Sequence, residues 1–66
     1  LIDPPDLTEA LAATGTADFW AAQPRTIRRG ALEWIKTAKT PETRAKRIAD
    51  VTGSASQGLR PSPFRR

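Results

Sequence analysis

Apolar side chains along this chain recur at helical spacing and never alternate as a half-buried strand requires. Leu7, Ala10 and Leu11 stand at i, i+3 and i+4 behind Pro4-Pro5-Asp6. Proline is tolerated in a first turn and an acid complements the positive end of a helix, so a short helix is predicted over Pro5 to Ala13. Thr14-Gly15-Thr16 ends it, because glycine readily takes the left-handed cap and Thr16 can cap the next element. A second short helix, Ala17 to Ala22, carries Phe19 and Trp20 and breaks at Gln23-Pro24, where the residue before proline is pushed out of the helical region. A third is predicted from Pro24 to Lys39, with Ile27, Ala31, Trp34, Ile35 and Ala38 on one face. Gly30 lies beside Trp34 on that wheel. It costs about 1 kcal/mol relative to alanine, which reads as room made for a close neighbour.

Thr40-Pro41-Glu42 is a strong helix start: a capping hydroxyl, proline at the first position and an acid in the first turn. Ala45, Ile48, Ala49, Thr52 and Ala55 then line one side, with Glu42–Lys46 and Lys46–Asp50 as i, i+4 pairs worth a few tenths of a kcal/mol each. Gly53-Ser54 interrupts the pattern, but Ala55 stays in phase and Gly58 can cap, so the helix is drawn on weakly to Gln57. Arg60-Pro61-Ser62-Pro63-Phe64-Arg65-Arg66 reads as a tail, neither helical nor able to pack alone, and either disordered or laid over another surface. The architecture predicted is all-α: a small bundle of four helices, the last two longest and joined by a tight Thr-Pro corner. Residues 1–58 form the domain and 59–66 a basic, proline-containing, irregular tail.

Sixty-six residues make one domain at most, burying about 60% of the unfolded surface and gaining roughly 3–5 kcal/mol from its core. With no cysteine and no histidine, disulfides and the commonest metal ligands are excluded. That usage fits a reducing cytoplasm, where the chain is expected to reside. No apolar run reaches the 18 or so residues of a membrane span, and the residues show no signal-peptide pattern. The start Leu1-Ile2-Asp3 reads as a fragment, the C-terminal part of a longer protein. Residues 1–24 carry four acids and no base, whereas 25–66 carry eleven bases against three acids, a net of +8. Either an anionic partner meets the second half or the acidic half folds against the basic one.

Arg25, Arg28, Arg29, Lys36 and Lys39 fall within roughly a 100° arc of the third helix. Arg44, Lys46 and Arg47 spread more widely over the fourth. Arg28, Arg29, Lys36, Lys39, Arg44 and Arg47 are therefore candidates for binding an anion or a partner. The corner joining Lys39, the guanidinium of Arg44 and the free N–H groups opening the fourth helix is the sharpest anion seat. The alternative is a solvated basic face, with Arg44 laid on Ile48 and bonded to a carboxylate or a helix end. Trp34 sits in the core stripe. Adjacent Phe19 and Trp20 cannot both face one small core, which makes an exposed Trp20 a candidate docking anchor. No nucleophile–base pair, paired carboxylates or phosphate loop is present, so no catalytic, metal or cofactor site is predicted and the fragment is not expected to be an enzyme.

Trp34-Ile35, Ala38-Lys39, Pro41-Glu42-Thr43-Arg44 and Arg47-Ile48 resemble the signature of the bacteriocin-protection family, labelled YdeI-like or OmpD-associated (OmdA). Pro5-Asp6-Leu7, Ala10-Leu11, Phe19, and Gly58 with Arg60 are similar as well, so the resemblance covers nearly the whole chain. It implies a bacterial, helical C-terminal domain, often following a small β-rich domain, with a loose link to bacteriocin or stress resistance. No enzyme activity, cofactor or catalytic residue comes with it. Gly53-Ser54-Ala55-Ser56 departs from the family pattern, where stronger helix formers are expected. Two functions follow as expectations. One is a non-catalytic interaction module docking on its own N-terminal domain or a partner protein. The other is a basic accessory module binding RNA, the ribosome or DNA, or another polyanion, through the third and fourth helices and the tail.

Overall fold

The computed structural model describes residues 3–64. Four helices follow one another: α1 (Pro5–Thr14), α2 (Ala17–Ala22), α3 (Arg25–Lys36) and α4 (Pro41–Ser56), with a single 3-10 turn, Ser62–Phe64, at the end. No strand occurs among the described residues. The bundle is all-α, and α3 and α4 are its longest helices. Helix α4 packs against α1, α3 and the 3-10 turn, while α2 packs on α1.

The core is small and is drawn from every helix. Leu7 and Leu11 of α1, Trp20 of α2, Ala31 and Ile35 of α3, and Ile48 and Val51 of α4 form one cluster, with Ala10, Leu32, Trp34 and Phe64 packed partly against it. Leu7, Ile35 and Val51 are the largest fully buried side chains. Each contributes about 1.5–3 kcal/mol relative to exposure.

Local chemistry sets the boundaries. Gly15 closes α1 at φ 67°, a left-handed conformation that glycine adopts without strain. Gln23 stands extended before Pro24 and ends α2. Thr40 Oγ1 accepts the N–H of Thr43 at 3.2 Å, making the predicted cap of α4. Thr16 occupies the cap position of α2 without capping it. Its buried hydroxyl instead pairs with the Thr14 hydroxyl at 2.7 Å. Helix α4 continues through Gly53-Ser54-Ala55-Ser56, where Ser56 Oγ donates to the Gly53 carbonyl and Ser54 Oγ to Asp50 Oδ1.

Four features differ from the sequence reading. Helix α3 stops at Lys36 rather than Lys39, leaving 37–40 as the connection. Along α4 the buried positions are Ile48, Val51, Thr52, Ser54 and Ala55, while Ala45 and Ala49 are exposed. Val51 joins the inter-helix core cluster, and Ser54 lies where the returning chain places the Leu59 amide on its carbonyl. Trp20 is core, 4% exposed, with its indole N–H donating to Asp3 Oδ2 at 3.1 Å; the half-buried neighbour is Phe19. An exposed docking anchor at Trp20 is thereby excluded, since the six-residue α2 turns its larger aromatic inward. The described part of the tail, residues 59–64, is finally laid over the domain itself, and Arg65 and Arg66 lie outside the described residues. Gly58, at φ 73°, reverses the chain, and Leu59 N–H returns to the Ser54 carbonyl at 2.8 Å. Pro61 is buried, and Asp50 accepts both the N–H and the hydroxyl of Ser62 at 2.9 and 2.7 Å.

Phe64 accounts for Gly30. A Cβ at Gly30 would stand 2.8 Å from Phe64 Cε1, so the missing side chain seats the ring. Gly53, by contrast, faces open space within α4. Gly53→Ala should therefore stabilise the domain by about 0.5–1 kcal/mol in urea unfolding. Gly30→Ala should gain less, because the Phe64 ring must move, and should match Gly53→Ala once Phe64→Ala is also present. Equal gains at both glycines in the Phe64-containing chain would contradict the contact.

Candidate docking surface

Arg44 and Arg47 lie three residues apart on α4 and reach to different helices. Arg44 forks onto Asp6 in the first turn of α1, with Nε to Oδ2 at 2.6 Å and Nη2 to Oδ1 at 3.0 Å. The hydrogen bond from Arg44 holds the Asp6 carboxyl below its ordinary value; burial opposes this, and the positive charge and the Leu7 N–H reinforce it. The same bond pushes the Arg44 pKa up. The acidic half of the chain thus folds against the basic half at this pair, and the Asp6 carboxylate fills the fork assigned to an anion at the corner.

Arg47 serves the other side. Its Nη1 donates to the Trp34 carbonyl at 2.5 Å and to Thr37 Oγ1 at 3.1 Å, while its guanidinium carbon lies 5.3 Å from the centre of the Trp34 ring. The last turn of a helix leaves carbonyls without intrahelical partners, and a cationic donor there suits the negative end. This contact accompanies the early stop of α3. Arg28 is also engaged, its Nε donating to the Gln23 carbonyl at 3.1 Å. Three of the six candidate cations therefore have structural contacts.

Arg29, Lys36 and Lys39 are exposed. Arg29 and Lys36 share the rim of a groove of about 330 Å³ with Arg44 and Glu33, over a floor of Pro4, Leu32 and Ile35. Lys39 lies outside its lining, in the connection between α3 and α4. Arg44 also borders a second depression of about 450 Å³ between α1 and α4, bounded by Ala10, Ala45, Ile48 and Ala49. Both hollows were hidden from the sequence because each depends on how α1 crosses its neighbours. The one available signal was Leu32, an apolar residue interrupting the basic arc. Among the described residues no acidic cluster suited to a metal ion occurs, and no helix is long and apolar enough to cross a membrane.

The family model described as bacteriocin-protection, YdeI or OmpD-associated (OmdA) matches residues 1–58. The chain belongs to this family. No curated protein and no solved structure matches it. In this OmdA domain the match stops at Gly58, the residue at which the chain turns back over α4.

Asp6→Asn tests the first arginine. A carboxyl whose folded pKa is depressed stabilises fully above its unfolded value and loses that contribution as pH falls through the folded one. The thermal midpoint of Asp6→Asn should thus lie below wild type at pH 7, and the gap should close as the pH drops below about 4. A gap unchanged down to pH 2 would rule out the ion pair as its source. For the second arginine, Arg47→Lys keeps the charge but loses the planar fork and should cost about 1–2 kcal/mol in urea unfolding. A loss within error would show that neither the cap nor the ring contact matters.

Proposed function

We propose that this OmdA domain is a non-catalytic helical interaction module of a bacterial stress- or bacteriocin-resistance-type protein, acting in the cytoplasm by docking on another protein surface. That surface belongs either to a preceding domain of its own polypeptide or to a separate partner. The family description supports the protective setting. The docking mode rests on one observation: Arg29, Lys36 and Arg44 ring a groove whose floor is Pro4, Leu32 and Ile35. Protein interfaces combine an apolar centre with a polar rim in this way, and arginine is enriched in them.

The exposed bases Arg25, Arg29, Lys36, Lys39 and Lys46 favour a second reading, in which the module binds nucleic acid through charge. Stacking on unpaired bases adds aromatic faces to such charge. Here Trp20 is buried and Trp34 lies under Arg47, which favours the protein surface. The two readings separate by photo-crosslinking in cells. A photoreactive residue replacing Lys36 should form adducts with protein, and one replacing Asp18 should not. Adducts with nucleic acid alone, together with salt-steep retention on heparin that is lost in Arg29→Ala/Lys36→Ala/Lys39→Ala, would overturn the docking reading.

A further inference from the structure

The groove beside α3 has the features of a selective seat. Its floor is aliphatic, and its rim carries Arg29, Lys36 and the Asp6-paired Arg44 against one acid, Glu33. Arg29 and Lys36 are seven residues apart, about 10 Å along the helix axis. Arg44 enters from α4 with its fork turned to Asp6, so the wall at that edge is fixed by an ion pair. Arg29 and Lys36 are exposed, without an ion pair among the described residues.

We propose that this groove binds an acidic, aliphatic segment of a partner protein in extended conformation, with two carboxylates three residues apart reaching Arg29 and Lys36. In a polyproline II segment the side chains at i and i+3 share one side and lie about 9 Å apart, close to the separation of the two bases. The aliphatic residue between the acids lies on Leu32 and Pro4. Glu33, four residues after Arg29 and three before Lys36, accepts a backbone N–H of the bound segment and disfavours a third acid between the two. At about 330 Å³ the hollow has the size of a site for a short segment. Charge complementarity selects an acidic occupant over a basic one. This inference rests on the docking reading and adds to it the chemistry of the partner.

Amide shifts of the isotope-labelled domain, titrated with the probe peptide acetyl-Glu-Pro-Leu-Glu-amide, test it. The peptide should shift Arg29, Leu32, Glu33, Lys36 and Arg44 saturably, and acetyl-Lys-Pro-Leu-Lys-amide should not. The double variant Arg29→Glu/Lys36→Glu, whose substituted positions are solvent-exposed, should bind the acidic peptide about tenfold or more weakly and acquire affinity for the basic one. Equal response to both peptides, no response, or shifts centred on Ala45 and Ala49 would overturn the proposal. So would a short oligoribonucleotide that shifts the same residues while the acidic peptide does not. Protein adducts at position 36 without a peptide response would sink only the partner's chemistry. Absence of any protein adduct would sink the docking reading itself.

Discussion

Two guanidinium groups on α4 tie down what a thin core leaves loose. Ile48 and Val51 are the larger aliphatic side chains that α4 buries, alongside Thr52, Ser54 and Ala55. Sixteen residues with that content make limited apolar contact, so directional bonds must help decide how the neighbouring helices sit. Arg44 reaches the start of α1 and Arg47 the end of α3, and both bonds are made at helix termini, where the backbone dipoles are uncompensated. Buried Leu7 beside Asp6 and buried Ile35 beside the Trp34 carbonyl add apolar packing at the same ends.

The reach of these contacts along the sequence explains which parts of the fold were readable. Helix α2 and the start of α4 follow from local rules: Gln23-Pro24 and Thr40-Pro41-Glu42 act within a few residues, and the structure places those boundaries as the rules demand. The end of α3 does not follow from local rules. Periodicity runs on to Ala38, but Thr37 and the Trp34 carbonyl meet Arg47, ten and thirteen residues away in sequence. The bond on the Ser54 carbonyl comes from a segment whose proline content reads as a tail. Ile48, Val51, Thr52 and Ala55 stand at i, i+3, i+4 and i+7, a stripe that competes with the alanine-rich one beside it. Volume decides between them.

The candidate surface was legible in composition more than in geometry. The basic arc of α3 is visible on a wheel, yet the wheel gives no hint that Arg28 turns to the Gln23 carbonyl while Arg29, one residue on, borders a groove. Likewise the pairing of Asp6 with Arg44 spans 38 residues and joins the acidic and basic halves of the chain. Net charge alone could not distinguish that internal neutralisation from attraction to an outside anion. The cations left exposed by the fold are a narrower and more informative set than the total.

Reversal of the chain at Gly58 has a consequence for motion. The strap from Leu59 to Phe64 has only the short 3-10 turn Ser62–Phe64 and is held by the Ser54 carbonyl, by Asp50, by buried Pro61 and by the notch at Gly30. Such a segment can peel away while the four helices stay paired, and local opening of this kind lies at the low end of a protein's stability range. Peeling would uncover a slot on α3 the width of one aromatic ring. Hydrogen exchange at the Ser62 amide would then be much faster than at Val51, giving the domain two layers of persistence instead of one.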